Sequence, residues 1–355
     1  MAARKQAPAR YRQVHALAFS PLFFQCAMAA RDMGVLALLR AAKSAGVTPV
    51  TVAERANISR YAARVLLEGC LALELVALAD RTRPDSAYTL TDAGYLWLSD
   101  EMVRVNANFV QNICYAGAAR LEDSLREQRP AGLEVFGPWP TIYEGLTQLP
   151  AAAQHSWLAF DHFFSDSAFP LVFPRVFAAR PRRLLDVGGN TGKWAVHCLR
   201  NDPDVALTVL DHPGQLARLR ANVDAIGASA RLHTVPIDLL DHGTAFPTGF
   251  DVVWMSQFLD CFGEDDIHQL LVRGKAALVP DGRLYIMESF WDRQANDVGE
   301  LCVQGLSLYF TCMANGTSRM YHSADFVELV ARAGLRIVSD DPIGTMHTLL
   351  TCVAR

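Results

Sequence analysis

The sequence of 355 residues has no run of about 18 uninterrupted apolar residues, the length a bilayer-spanning helix requires. The stretch Ala16–Ala30 follows Arg4, Lys5 and Arg10 in the manner of a secretory leader, but Ser20, Pro21 and Gln25 interrupt it. Its apolar pattern continues through Met28, Val35, Leu36, Leu38 and Leu39 at helical spacing, which favours a helix of the folded protein over a leader. The eight cysteines form no Cys-x-x-Cys pair. Scattered through mostly apolar stretches, they read as reduced thiols of a cytoplasmic protein, not as a zinc site or a disulfide framework. Positive charge is not in excess, since 33 Lys and Arg stand against 37 Asp and Glu. The chain therefore exerts no global pull on nucleic acid or on a membrane surface. Internal repeats and low-complexity tracts are absent. Two phosphate-binding signatures are missing as well. Gly188-Gly189-Asn190-Thr191-Gly192 spells G-G-x-x-G, not G-x-G-x-x-G, and Gly192-Lys193 is followed by Trp194, not by Ser or Thr.

What is present is a series of apolar strands that end in acids. Residues 184–192 read Leu-Leu-Asp-Val-Gly-Gly-Asn-Thr-Gly, a strand, an acid at Asp186 and a tight turn, with a helix expected from Lys193. Glycines at 188, 189 and 192 let the backbone turn sharply and come close to a ligand, and the helix behind adds free N–H groups and partial positive charge. A second apolar run, Ala206–Leu210, ends at Asp211, an arrangement suited to a ribose diol. A third, Leu232–Ile237, ends at Asp238-Leu239. With 251–255, 283–288 and a final 335–353, the strands alternate with helical segments from Arg182 onward. That rhythm predicts an α/β fold with a Rossmann-like, doubly wound, mostly parallel sheet.

The amino-terminal part differs in kind. Residues 1–10 read as a loose basic tail and 14–120 as mostly helical, with a winged-helix pattern over Val47–Leu98. Thr51-Val-Ala-Glu54 reads as a capping box, Asn57-Ile58-Ser59 as a turn, and Arg60–Leu73 as the second helix. Leu75–Ala79 and Tyr88–Leu90 form the wing, and Thr91 caps the next helix. A winged helix raises DNA binding, but the second helix carries Ala62, Ala63, Val65, Leu66 and Leu67 beside Arg60 and Arg64, a face made for packing, not for reading bases. Pro130, Gly132 and Gly137-Pro138-Trp139-Pro140 mark a loop in the connector. In His155–Phe169, aromatics at 157, 160, 163, 164 and 169 recur at helical spacing, suited to core and to a ligand pocket alike. The expected division is a helical winged-helix domain over 1–110, a helical connector over 111–175 and a cofactor domain over 176–355.

The order LLDVGGNTG, LTVLDHP, VPIDLL and DVVWMSQFLDCFGEDD resembles the S-adenosylmethionine-dependent methyltransferases of the plant-type O-methyltransferase family, from about residue 11 to the end. The resemblance implies S-adenosyl-L-methionine as cofactor, with its methionine part over Gly188, Gly189 and Gly192. It puts the ribose on Asp211, next to His212, and the adenine beside Asp238 and Leu239. Asp186, Ser256 and Gln257, at strand ends, are expected to face the same site. It further implies two late antiparallel strands and a homodimer formed through the amino-terminal module, whose first helix helps close the partner's site. The acceptor is then a small aromatic molecule, with Trp157, Phe160, His162, Phe163, Tyr309, Met313 and Met320 as candidate contacts; no nucleic acid, membrane or resident metal is expected.

The catalytic half departs from the family pattern. A histidine after strand four, in a Leu-His-Asp-Trp-like segment, is the family's base, and here Asp260 takes its place, with Cys261 and Phe262 in place of the Asp-Trp. The later Gly-Gly-Lys-Glu-Arg-Thr motif matches Asn315–His322 only loosely, and its glutamate falls on Met320. An ordinary aspartate near pKa ~3.9 faces a phenol near ~10, a gap worth roughly 8 kcal/mol. Burial among Phe258, Leu259 and Phe262 would narrow that gap; alternatively Asp260 orients the acceptor while His322 or His347 takes the proton, or it merely caps the helix near Glu264. Three chemistries follow. The first is O-methylation of an aromatic hydroxyl. The second is C-methylation of an electron-rich ring or enol, since Met287–Gln294 and Ser307–Met313 also resemble a bacterial subgroup of aryl-polyene pigment pathways. The third is metal assistance through Asp260, His322 and His347. A chain that kept cofactor binding but lost its chemistry, acting as a scaffold, is the non-enzymatic alternative.

Overall fold

The computed structural model describes residues 8–355, which separate into two compact units, one ending at Asn108 and one spanning Phe109–Arg355. The basic segment 1–7 lies outside the described residues. Arg10, expected in a loose tail, is instead in a helix.

The first unit contains helices α1 (Ala9–Asp32), α2 (Val35–Ala42), α3 (Pro49–Ala56) and α4 (Arg60–Ala72). Strands β1 (Val76–Leu78) and β2 (Tyr88–Leu90) pair antiparallel as the wing, followed by α5 (Asp92–Ser99) and α6 (Glu101–Phe109). Its core gathers Leu36, Leu39, Val52, Ala63, Leu67, Val76 and Tyr88. The cap of α3 corrects the expected capping box. Thr48, in extended backbone, accepts the N–H of Thr51 at 3.3 Å, because Pro49 starts the helix three residues before the predicted box would place it. Ser59 caps α4 through the N–H of Ala62 (3.0 Å), and Thr91 caps α5 through the N–H of Gly94 (3.1 Å). Among the described residues no single helix is long and apolar enough to cross a membrane.

The second unit opens with α7 (Leu121–Glu127), α8 (Ile142–Gly145), α9 (Ala151–Ser165) and α10 (Phe169–Val176). Then strands and helices alternate: β3 (Arg183–Val187), α11 (Lys193–Asn201), β4 (Ala206–Asp211), α12 (Pro213–Asp224), β5 (Leu232–Pro236), β6 (Phe250–Ser256), α13 (Glu264–Ala277) and β7 (Leu278–Glu288). The chain closes with α14 (Asp297–Tyr309), α15 (Ser323–Arg332), β8 (Leu335–Ile343) and β9 (His347–Ala354). Seven strands form one sheet in the order β5-β4-β3-β6-β7-β9-β8. The first five are parallel, while β9 runs antiparallel to both β7 and β8. Apolar residues on both faces of the sheet bury two cores, one around Leu185, Met255, Ile286 and Phe326 and one around Leu184, Trp194, Trp254 and Leu349. In such a sheet ligands bind at the carboxyl ends of the strands where the order reverses, here between β3 and β6.

Candidate active site

The turn after β3 explains its glycines one by one. Gly188 sits at φ +76°, and a Cβ there would lie 2.3 Å from the Phe258 ring. A Cβ on Gly189 would lie 2.3 Å from Val209, and one on Gly192, at φ +81°, 2.5 Å from Leu219. Between them Asn190 adopts φ 48° and donates its backbone N–H to Asp211 Oδ2 at 2.7 Å. The N–H of His212, which stands at the N-cap of α12, donates to Asp211 Oδ1 at 2.7 Å. These two bonds fix the Asp211 carboxylate at the end of β4 while leaving lone pairs for a diol. Asp186 is buried, and its Oδ2 has no partner. Burial, then the nearby Asp211 carboxylate, pushes Asp186 up to about 8. At the end of β6, Ser256 Oγ and Gln257 Nε2 are likewise buried without partners. Asp238 is exposed at the end of β5 and turns back on the N–H of Leu240 (2.9 Å). Leu239 beside it is buried, its carbonyl accepting from Arg273 Nη1 at 2.7 Å. Residues at 186, 188, 189, 192, 211, 212, 256 and 257 thus converge on one strand-end turn. A cradle that any Cβ would fill, with unspent acidic and amide groups around it, fits a cationic nucleoside such as S-adenosylmethionine.

Asp260 lies beyond β6 in a short 3-10 turn, Leu259–Cys261. Its side chain does not cap α13, whose N-cap is Gly263 with no side-chain bond. It is 8% exposed, and burial pushes it up to about 7, against the pull of the Cys261 thiol, which donates to Oδ1 at 3.5 Å. Glu288, at the end of β7, holds the turn from below: its Oε1 accepts the N–H groups of Phe258 (3.0 Å) and Leu259 (2.8 Å). Glu288 Oε2 has no partner, and burial followed by the Asp260 charge raises this carboxyl well above its ordinary range. The late segment is tied to the same turn. Asn315 Nδ2 donates to the Cys261 carbonyl, and Tyr321 donates its hydroxyl to the Phe262 carbonyl at 2.7 Å.

Around this turn an aromatic cluster is assembled. Tyr309, Met313 and Met320 are buried there with Phe109, and Trp157, Phe160, Tyr143 and Cys261 pack against them. Phe109 stacks on Phe160 at 4.1 Å, and Trp157 Nε1 donates to the Tyr309 hydroxyl at 2.9 Å, leaving the Tyr309 proton free to donate elsewhere. Met313 fits because Gly117 and Gly132 have no Cβ, which would come within 2.4 Å and 2.7 Å of its sulfur. Of the other expected contacts, Phe163 packs on Phe164 (5.0 Å), and His162 reaches Thr191 Oγ1 in the glycine turn (3.3 Å).

The two candidate histidines stand on elements other than this turn. His322 is the N-cap of α15, its Nδ1 accepting from the Ala324 N–H at 3.0 Å and its ring edge-on to Trp291. His347 opens β9, buried, with Nε2 unpartnered; burial lowers it to about 4, so it is neutral at pH 7. The metal alternative is corrected here: among the described residues no three His, Cys, Asp or Glu side chains converge as a ligand set, Asp260, His322 and His347 included.

Sequence reasoning missed Glu288, Asp161 and Tyr143. Glu288 carries the same signal as Asp186 and Asp211, an acid closing an apolar strand. Asp161 is a charge inside an aromatic helix, and its Oδ2 accepts from Asn190 Nδ2 at 2.8 Å. Tyr143 comes from a four-residue helix that no periodicity reveals.

A doubly wound sheet with a glycine cradle at its switch point, flanked by a buried acid, is the setting of a nucleotide-type cofactor, and the family matches make it that of an S-adenosylmethionine-dependent methyltransferase. Residues 175–336 match the O-methyltransferase domain and residues 11–83 the Dimerisation2-like domain, well over half of the chain together. The L-tyrosine C(3)-methyltransferase of Streptomyces lavendulae is 25% identical over 322 residues, covering 89% of this chain and 84% of that one. The 3-amino-4-hydroxybenzoate 4-O-methyltransferase of Streptomyces cremeus is 26% identical over 314 residues, covering 85% and 82%. The apo structure of the S-adenosylmethionine-dependent methyltransferase SibL aligns with a TM-score of 0.70 at 25% identity, over 96% of this chain and 98% of that one. Further relatives are N-methyltransferases. The chain belongs to the plant-type O-methyltransferase family of S-adenosylmethionine-dependent methyltransferases, and S-adenosylmethionine is its cofactor.

Proposed function

We propose that this enzyme methylates the hydroxyl of a small phenolic molecule, with Asp260 as the general base. The observation that carries this reading is the buried Asp260 carboxyl, raised to about 7 within the aromatic cluster. Raising the base from ~3.9 to about 7 narrows its gap to a phenol near ~10 from roughly 8 to roughly 4 kcal/mol.

The proposed mechanism divides the labour. S-adenosylmethionine, held by Gly188, Gly189, Gly192, Asp211 and Leu239, supplies the electrophilic methyl. Phe160, Trp157, Met313 and Met320 flank the acceptor ring and exclude water. Tyr143, kept protonated by burial, and Tyr309 offer hydroxyl protons to orient it. Asp260 takes the acceptor's proton, and Glu288 holds the turn that carries Asp260. Most of the acceleration then comes from alignment, because the thioether is already a good leaving group.

C-methylation is the second reading. It is favoured by the similarity to the tyrosine C(3)-methyltransferase; Asp260 would again take the hydroxyl proton, the phenolate's ortho carbon would take the methyl, and that carbon's proton would then leave as the oxygen is reprotonated and the ring regains aromaticity. Product analysis decides between them: a methyl group released by ether cleavage supports oxygen transfer, and one that resists cleavage supports carbon transfer. A homodimer in the cytoplasm completes the reading, supported by the Dimerisation2-like domain; a monomer by sedimentation at micromolar concentration would reject the dimer.

A further inference from the structure

We propose that Arg273 is a positioning residue for the adenine end of the cofactor site: it clamps the loop that carries Asp238 and Leu239, and cofactor affinity depends on that clamp. The inference rests on the reading of Asp238 and Leu239 as the residues beside the adenine.

The chain between β5 and β6, residues 237–249, has no helix or strand to fix it. Much of its bonding is internal. Asp238 Oδ1 accepts the N–H of Leu240 at 2.9 Å, and the His242 N–H donates to the Leu240 carbonyl at 2.9 Å. Asp241 accepts from the Gly243 N–H (3.1 Å) and from the Thr244 hydroxyl (2.6 Å). Such bonds shape the loop but do not set where it stands against the sheet. Arg273, in the second half of α13, reaches it at three points. Its Nη1 donates to the Leu239 carbonyl at 2.7 Å and lies 3.5 Å from His242 Nδ1, and the guanidinium stands over the Phe246 ring, 4.1 Å from its centre. Because an arginine only donates, His242 presents Nδ1 to it as an acceptor and keeps its proton on Nε2, which donates to Asp266 Oδ1 at 2.8 Å. Asp266 is also on α13, so the loop is tied twice to one helix.

An arginine is an expensive residue to bury for packing alone. Arg273 is 8% exposed, and its Nε and Nη2 are buried without a partner among the described residues. The other buried positions of α13 are Ile267, Leu270, Leu271, Gly274 and Ala277, none with a polar side chain. A leucine or methionine at 273 would fill the core without desolvating a charge, but would leave the Leu239 carbonyl without its donor. What the guanidinium adds is direction, a planar fork that bonds a carbonyl in its plane while its face rests on a ring. A lysine, a single point donor, does not do both. The carbonyl so held belongs to Leu239, the apolar neighbour of the adenine in this reading. A shift of the clamp would therefore move the surface on which the adenine packs.

The test uses the full-length protein and two probes, S-adenosylhomocysteine by calorimetry and adenosine by its displacement of S-adenosylhomocysteine. The variants are Arg273→Met, Arg273→Lys and Asp238→Ala, each checked for folding by denaturant unfolding. Arg273→Met is expected to weaken both probes about tenfold, the worth of one hydrogen bond from a charged donor. The factor should be the same for the two, because the loss lies at the nucleoside end, and Arg273→Lys should recover only part of it. Asp238→Ala, which marks the adenine end directly, should weaken both probes as well. A folded Arg273→Met that loses S-adenosylhomocysteine more than adenosine, or that loses neither while Asp238→Ala weakens both, would overturn the clamp alone. If Asp238→Ala and both Arg273 variants bind the two probes as the parent does, the adenine reading falls together with the inference. If Arg273→Met does not fold, His242→Ala decides. It removes the tie to Asp266 from the half-buried side of the loop and should weaken adenosine about threefold; unchanged binding there would overturn the inference.

Discussion

In the proposed reaction a carboxyl, Asp260, takes the work that usually falls to an imidazole, and its burial is what suits it to that work. Asp260→Asn keeps the size and polarity but cannot accept a proton. Turnover with a phenolic acceptor should fall by roughly 10²-fold or more, while affinity for S-adenosylhomocysteine, measured by calorimetry, stays within about threefold. In the unaltered enzyme, kcat/KM should rise with pH through about 7, where Asp260 becomes the free base. A flat profile from pH 5.5 to 8.5 would remove Asp260 from that role. Gly188 makes a separate prediction. An alanine there must hold φ +76° and displace the Phe258 ring, which leads into the Asp260 turn. Gly188→Ala should cost roughly 2–4 kcal/mol in stability and depress cofactor affinity and turnover together, which denaturant unfolding and calorimetry would show.

At the scale of the element, the turn after β6 is held by β7 through a single side chain. Burial raises the Glu288 carboxyl well above its ordinary range, and Gln presents the same carbonyl-type oxygen to the N–H groups of Phe258 and Leu259. Glu288→Gln should therefore stay within about 1 kcal/mol of the parent protein, whereas Glu288→Ala strands two buried donors at a cost of roughly 2–5 kcal/mol. Equal unfolding midpoints for the two variants would show that Glu288 does not support the turn. The strand-end acids at 186, 211 and 238 were legible because strands alternate with helices and these apolar runs stop at a charge, whereas Glu288, with the same signal, was passed over. The helix-capping role of His322 was not. A histidine before Ser-Ala-Asp reads the same whether it faces a ligand or the first turn of α15, and only the fold at 292–324 chooses.

On the scale of the whole molecule, several carboxyls share one buried region, and the protein without cofactor bears the cost. Asp186 stands at about 8, Asp260 at about 7 and Asp161 at about 6 in the folded chain, each raised above its value in the unfolded chain, chiefly by burial. For acids raised on folding, the contribution to stability is complete below about pH 4 and is lost as pH rises through the folded values. The melting temperature of the cofactor-free protein should accordingly fall between pH 5 and 8.5, by an amount on the order of 5 °C. S-adenosylmethionine, a cation, should restore more of it at pH 8.5 than at pH 5. Asp186→Asn should flatten the slope; a slope that it leaves unchanged would place the titrating groups elsewhere.

The sequence by itself determined what depends on local periodicity and on residue type. The parallel strands, the glycine turn of 188–192, the acids at 186 and 211, the wing at 76–90 and the aromatic run of α9 all follow from short stretches read alone. Tertiary structure alone decided which distant groups meet. Asp161 and Asn190 are 29 residues apart, Glu288 and Leu259 are likewise 29 apart, and Trp157 and Tyr309 are 152 apart. It also decided the proton affinity of Asp260, because an aspartate's pKa is set by the water it loses and the charges around it, and neither is a property of its neighbours in sequence.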